Sequence, residues 1–201
     1  MNMKKLGIIN LSGTVVVSDP CYDRDVWCMK NDVSVKAGSY QVYVTYSDEK
    51  EFGTRVAALT VIHADHLEML NKKCLTWNVI SDSIGVDSGQ CGIFDDSIYP
   101  LKKGSVSSSP FCNECCNITR MDAQCGILQS RKGVVSSSGF GDGAYKLLSL
   151  SHENETVALL LDYDVTKMRD IMKALVTDVA DVTSNKVNPF FMQKLVLPFA
   201  A

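Results

Sequence analysis

The sequence predicts a mainly β (α+β) fold: an antiparallel β-sandwich or partly closed barrel with one C-terminal amphipathic helix. Three observations carry this. Short runs rich in Val, Ile, Thr and Tyr recur between residues 6 and 162, separated by clusters of Gly, Asp, Ser and Pro. Several of these runs alternate apolar and polar residues with the period of two of a half-buried strand. One stretch alone, 165–182, repeats apolar residues at spacings of three and four.

Residues 6–18 read as an extended run, with Gly13 marking a bend or bulge. Asp19-Pro20 stops it, because proline has no N–H to give a ladder. Residues 21–28 form a loop, with Tyr22 and Trp27 as anchors. Val33 to Lys36 is short and extended, and Ala37-Gly38 is a turn. Ser39 to Tyr46 alternates, with Tyr40, Val42, Val44 and Tyr46 on one face. A polar connection at 47–53 leads to the partner strand 54–63, which places Val56, Ala58, Thr60 and Ile62 on one face and Arg55, Ala57, Leu59 and Val61 on the other.

Ala64 to Leu70 reads as a helical turn. Cys74 to Ile80 and Ile84 to Phe94 read as strands. Residues 100–130, with a cysteine-rich insert at about 107–130, show poor periodicity and read as irregular. Gly133 to Val135 and Ala144 to Leu150 flank a glycine turn, and 144–150 pairs with 156–162 across Ser151 to Glu155. In the helix, Val165, Met168, Ile171, Met172, Leu175, Val179 and Val182 form the stripe, and Asp164 is placed to cap it. An aromatic tail follows Asn188-Pro189.

The division expected is a β-rich core over 1–163 and an added helix and tail over 164–201, the latter a possible homo-oligomer contact through 165–199. A net charge of −3 without a long basic block argues against a nucleic-acid polymer as partner. No apolar run approaches the roughly 18–20 residues that span a bilayer, and the N-terminus lacks a signal-peptide core, so the expected setting is cytoplasmic. In that setting the eight cysteines are expected as reduced thiols or metal ligands.

Chemistry concentrates in two stretches, Ile84-Gly-Val-Asp-Ser-Gly-Gln-Cys-Gly-Ile-Phe-Asp-Asp96 and Gly133-Val-Val-Ser-Ser-Ser-Gly-Phe-Gly-Asp-Gly-Ala-Tyr145. Glycines let backbone N–H groups converge into nests that hold anions, and Ser136, Ser137 and Ser138 would add hydroxyls. The same residues serve tight turns equally well. The candidate ligand-binding set is Asp19, Cys21, Tyr22, Arg55, Asp87, Ser88, Gln90, Ser137, Ser138, Gly139, Phe140, Gly141 and Asp142. Arg24, Arg55, Arg131 and Lys132 are the candidate charge partners, and Tyr22, Trp27, Phe94, Phe140 and Tyr145 are candidate stacking faces that serve equally as loop anchors.

Asp19, Asp87, Asp95 and Asp142 would alternatively gather Mg²⁺, with Asp87 and Asp142 catalytic in a phosphodiesterase. Cys112, Cys115 or Cys116, and Cys125, with Cys91 in reserve, make half of a Zn²⁺ pattern. Cys21 and Cys91 lie in motif loops that contain no histidine, so they read as structural thiols rather than nucleophiles.

Four pieces in order, Val17-Ser-Asp-Pro-Cys-Tyr22, Gly53-Thr-Arg-Val-Ala57, Ile84 to Asp96 and Val134 to Tyr145, resemble an uncharacterised bacterial and phage family over about residues 10–162. Its members carry a Val-Asp-(Ala/Ser)-Gly turn and a late Gly-x-Gly-Asp-Gly-(Ser/Ala)-Tyr turn. The family has no established activity, so the resemblance implies a phage or bacterial cytosolic setting and nothing about chemistry. The cysteine-rich insert and everything after about residue 163 depart from it. Setting and loop chemistry together suggest a protein that binds a small anionic ligand, such as a phage sponge for a nucleotide-derived immune signal. The alternatives are a metal-dependent hydrolase of such a signal and a protein-interaction or inhibitor module.

Overall fold

The computed structural model describes residues 1–71, 76–100 and 109–184. The chain is mainly β. One sheet has six strands: β1 (Asn2–Leu11), β4 (Gly38–Asp48), β5 (Thr54–His63), β6 (Asn78–Val86), β10 (Gly143–His152) and β11 (Glu155–Asp162). Its spatial order is β1-β4-β5-β11-β10-β6. The second sheet has five: β2 (Thr14–Ser18), β3 (Met29–Ser34), β7 (Gln90–Asp95), β8 (Cys125–Ile127) and β9 (Gly133–Ser137), in the order β3-β2-β7-β9-β8. Every neighbouring pair is antiparallel, and the sheets stay open rather than closing into a barrel.

The inner faces of both sheets share one core. Ile9, Tyr40, Val42, Leu59, Leu147 and Leu161 of the larger sheet meet Val15, Val17, Ile93 and Val134 of the smaller. Burying each such side chain contributes about 1.5–3 kcal/mol. A helix covers each outer face. Ile171 and Leu175 of α2 (Met168–Ser184) pack with Ala58, Ile62, Leu148 and Leu160 on the six-stranded sheet, together with the 3-10 segment Ala64–Asn71. Cys115 and Ile118 of α1 (Pro110–Thr119) pack with Val16, Phe94 and Val135 on the other. No helix among the described residues is long and apolar enough to cross a membrane.

The sandwich and the C-terminal helix match the expected fold, and β10 pairs β11 as the alternation predicts, from Lys146↔Asp162 to His152↔Glu155. Several local expectations are corrected. The run 6–18 is two strands in different sheets, and Gly13, at φ +119°, sits where the chain crosses. The register between β4 and β5 shifts between Thr45 and Tyr46, which pair with Ala58 and Val56. That bulge returns Val56 to the inter-sheet core beside Leu59 and Val61, while Ala58 and Ile62 face α2. The helix starts at Met168, and Asp164 does not cap it: Asp164 adopts φ +54° and its N–H donates to Asp162 at 3.0 Å.

The insert expected to be irregular holds α1 and β8. Ser109 caps α1, its hydroxyl accepting from the Cys112 N–H at 3.1 Å, and Pro110 occupies the first turn. Cysteine is as readily buried as a small aliphatic residue, so Phe111, Cys112, Cys115 and Ile118 supply the apolar face that Cys, Asn and Ser disguise in the sequence. The start of the expected strand at Cys74 and the tail beyond 184 lie outside the described residues.

Both glycine turns are corners between the sheets. The turn 87–89 carries the chain from β6 in the larger sheet to β7 in the smaller, and 138–142 carries it back from β9 to β10. Gly139, at φ +53°, has Tyr163 and Val165 so close that an added Cβ would meet Val165 at 2.8 Å.

Candidate ligand site at the motif end of the sandwich

The four motif segments meet at one end of the sandwich. There β5 begins, β6 and β11 end and β10 begins; in the other sheet β2 ends, β7 begins and β9 ends. The Ser138 N–H donates to the Gly89 carbonyl at 3.1 Å, joining the two corners. The Phe52 ring, at the tip of the β4–β5 connection, stands edge-on to Phe140 with centroids 6.0 Å apart.

Asp19 holds the loop after β2 to the first corner. Its carboxylate is fully buried and accepts from the N–H groups of Cys21 at 3.0 Å, Asp87 at 3.0 Å and Ser88 at 2.8 Å, and from the Ser88 hydroxyl at 2.6 Å. Backbone N–H groups at the first corner therefore converge on an anion, and that anion is the protein's own carboxylate. The Tyr22 hydroxyl donates to the exposed Asp87 carboxylate, and this contact, with lesser help from partial burial, pushes the Tyr22 hydroxyl up to about 12. Tyr99 ties the same loop by donating to the Tyr22 carbonyl at 2.8 Å.

The second corner is also satisfied internally. Gly141 N–H and the Ser138 hydroxyl close the turn on each other's carbonyls, at 2.7 and 2.8 Å. Tyr145 donates across it to the carbonyls of Ser138 and Gly141 at 3.0 and 2.7 Å. Ser137 donates at 3.5 Å to the carbonyl of Thr119, and Asp142 is exposed.

Arg55 differs from these groups. Its guanidinium carbon lies 5.7 Å from the Phe140 ring centre, yet its Nε is buried and has no hydrogen-bond partner among the described residues. Phe140 and Phe52 are 56% and 65% exposed, unusual for large apolar rings and available for contact. A separate open cleft of 450 Å³ is lined by Met1, Lys4, Tyr46, Asp48, Thr54 and Asp122 among others, and of its lining only Thr54 belongs to a motif segment.

The predicted metal sets do not assemble as expected. Asp95 lies at the far end of β7, where it accepts from the Ser12 N–H and from Ser97. Among the described residues, one group of three or more His, Cys, Asp or Glu side chains brings its ligand atoms within 4.8 Å of one another, and it comprises Cys21, Cys112 and Cys116. Of the predicted zinc trio, Cys115 faces the smaller sheet and Cys125 meets the Tyr46 hydroxyl at 3.1 Å. Cys91 is in the central core. Burial pushes the thiols of Cys91, Cys115 and Cys125 upward and that of Cys28 up to about 12, so these four stay protonated and unreactive.

Cys21, expected as a reduced thiol, is in a disulfide with Cys112, 91 residues away. Gln90, 3% exposed, donates its amide to the sulfurs of Cys116 at 3.1 Å and Cys21 at 3.4 Å. The signal for Cys116 was its spacing of four from Cys112, which places both on one helix face once the Ser-Pro start of α1 is recognised.

The histidines form a second group that no motif announced. His63, His66 and His152 pack in a row at the opposite end of the sandwich, their rings tilted to one another, with centres 5.3 and 5.0 Å apart. Fold and site thus define a two-sheet antiparallel sandwich with a corner-built polar end. No protein-family model, curated protein or solved structure matches the chain.

Proposed function

We propose that the chain is a binding protein that takes a small anionic ligand with a planar group, of the nucleotide class, at the Arg55–Phe140–Phe52 corner. The observation that carries this reading is the Arg55 guanidinium. It rests on an exposed ring and keeps a buried Nε–H without an acceptor. A phosphate would pair with the guanidinium through charge-assisted bonds, and the two phenyl rings would take the planar group. The corner backbones and Asp19 then act as scaffold, since their donors and acceptors engage one another.

Sequestration fits this arrangement better than turnover. Asp19 is committed to four internal donors and Asp95 lies at the far end of β7, which removes two of the four carboxylates weighed for Mg²⁺ from this end. In the phage setting that the family resemblance implies, the ligand would be a nucleotide-derived immune signal and the protein a sponge.

The test incubates the protein with cyclic dinucleotides, cyclic trinucleotides and ADP-ribose-type compounds. The filtrate is assayed by mass spectrometry before and after heat denaturation. A compound that disappears and returns intact supports sequestration, with Arg55→Ala and Phe140→Ala each weakening retention at least about tenfold, the scale of one lost charge-assisted bond. A compound replaced by product makes the protein a hydrolase, and a panel left untouched overturns the nucleotide reading.

A further inference from the structure

The sulfur cluster behind the Asp19 loop is built from three directions. Cys112 and Cys116 are one turn apart on α1, and Cys112 lies in its first turn, where the helix N-terminus favours a thiolate. Cys21 is presented by the loop whose backbone Asp19 holds. Cys116 Sγ lies 3.7 Å from Cys21 Sγ and 3.8 Å from Cys112 Sγ. Thiolates around a tetrahedral cation at a metal–sulfur distance of about 2.3 Å are separated by about 3.8 Å. Two of the three edges already have that length, and the third carries the disulfide.

The surroundings suit thiolates. The buried Gln90 amide turns its N–H side toward Cys21 and Cys116, and its carbonyl oxygen lies 3.2 Å from the Thr119 hydroxyl. Thr119 belongs to the same helix as Cys112 and Cys116, so helix, amide and sulfurs form one braced unit. Outer donors of this kind orient ligands and stabilise their charge.

We propose that the reduced chain binds one thiophilic d¹⁰ cation of the zinc class through Cys21, Cys112 and Cys116, and that the Cys21–Cys112 disulfide is the oxidised state of the same site. An external dithiol reduces the disulfide: its two sulfurs join in a new S–S bond, the protein S–S bond breaks, and two protons pass to Cys21 and Cys112. The divalent cation then displaces the three thiol protons, giving three metal–sulfur bonds and a complex of net charge −1. The fourth position is left for water. Of these three cysteines the oxidised chain keeps only Cys116 as a thiol, and it loses the site, so metal and disulfide exclude each other.

The experiment uses the full chain, reduced with a dithiol, desalted without oxygen and titrated with Cd²⁺ and, in competition with a chromogenic chelator, with Zn²⁺. The expected result is a thiolate-to-cadmium ultraviolet charge-transfer band that saturates at one equivalent and is absent from the oxidised chain. Cys116→Ser and Cys21→Ser lose it, Cys115→Ala keeps it, and Gln90→Leu weakens zinc binding about 10- to 100-fold. Absence of the band from the reduced chain, or its survival in both serine variants, overturns the proposal. Should a variant not fold, alkylation of the wild-type chain decides: zinc is expected to protect Cys21, Cys112 and Cys116 together, and protection of other cysteines instead rejects the site.

Discussion

The two ends of the sandwich are polar in different ways. At the motif end, glycine, serine and aspartate are absorbed into the fold: one buried carboxylate takes four donors and ties the loop after β2 to the first corner. At the other end, His63, His66 and His152 pack in a row, and the His66 Nε2 is buried with no hydrogen-bond partner among the described residues. The motif end is held by charges that are already satisfied. The histidine end is held by packing of the three rings around one buried nitrogen without a partner among the described residues. A polar sequence motif thus marks where the chain must turn between sheets, and the proton-sensitive element is the one without a motif.

The sharpest way to break the contrast is Asp19→Ala. It strands the N–H groups of Cys21, Asp87 and Ser88, at about 1–3 kcal/mol for each group that water does not reach. The expected loss in urea unfolding is at least about 3 kcal/mol, against under about 1 kcal/mol for Asp87→Ala, whose exposed carboxylate gives up one tyrosine contact. Equal losses in the two variants would remove Asp19 from its role as clamp.

The histidine end predicts a smaller, pH-dependent effect. Burial holds the His66 imidazole below its ordinary value, with Lys36, His152 and His63 adding to the shift and Asp65 opposing it. The unfolded chain therefore takes up this proton first as pH falls below about 6.5. More protons on the unfolded chain means that stability declines on acidification through that window and is constant above it. His66→Phe is expected to flatten the slope of the urea midpoint between pH 5 and 7. An unchanged slope would place the sensitivity elsewhere.

How much of this was legible in the sequence follows from the range of each interaction. Period-two runs declare strands locally, so the sandwich and the β10–β11 hairpin were readable. Sheet membership depends on partners far along the chain, so the crossing at Gly13 and the two inter-sheet corners were not. That the motif segments meet at one end was not legible either, since it depends on how the sheets are assembled. Nothing local says that the anion for the 87–88 nest is Asp19, 68 residues away. The pairing of Cys21 with Cys112 and the meeting of three histidines are likewise products of topology. Phe52 escaped notice because a lone phenylalanine in a charged hairpin carries no periodic signal.

The smallest expected effect separates folding from binding at the motif end. Phe140 is more than half exposed, and its described contacts are the Arg55 guanidinium and the edge of Phe52. An exposed cation–π contact is worth about 0.5–1 kcal/mol, and the Phe140→Ala chain recovers part of that when water reaches Arg55. Urea unfolding should therefore shift by no more than about 0.5 kcal/mol, within the range of ordinary surface substitutions. Its retention of the nucleotide-class ligand should nevertheless fall, because the lost ring is part of the surface on which the planar group rests. A large stability loss would mean that Phe140 is an anchor of the second corner, as Tyr145 is, and that the exposed ring was never a binding face.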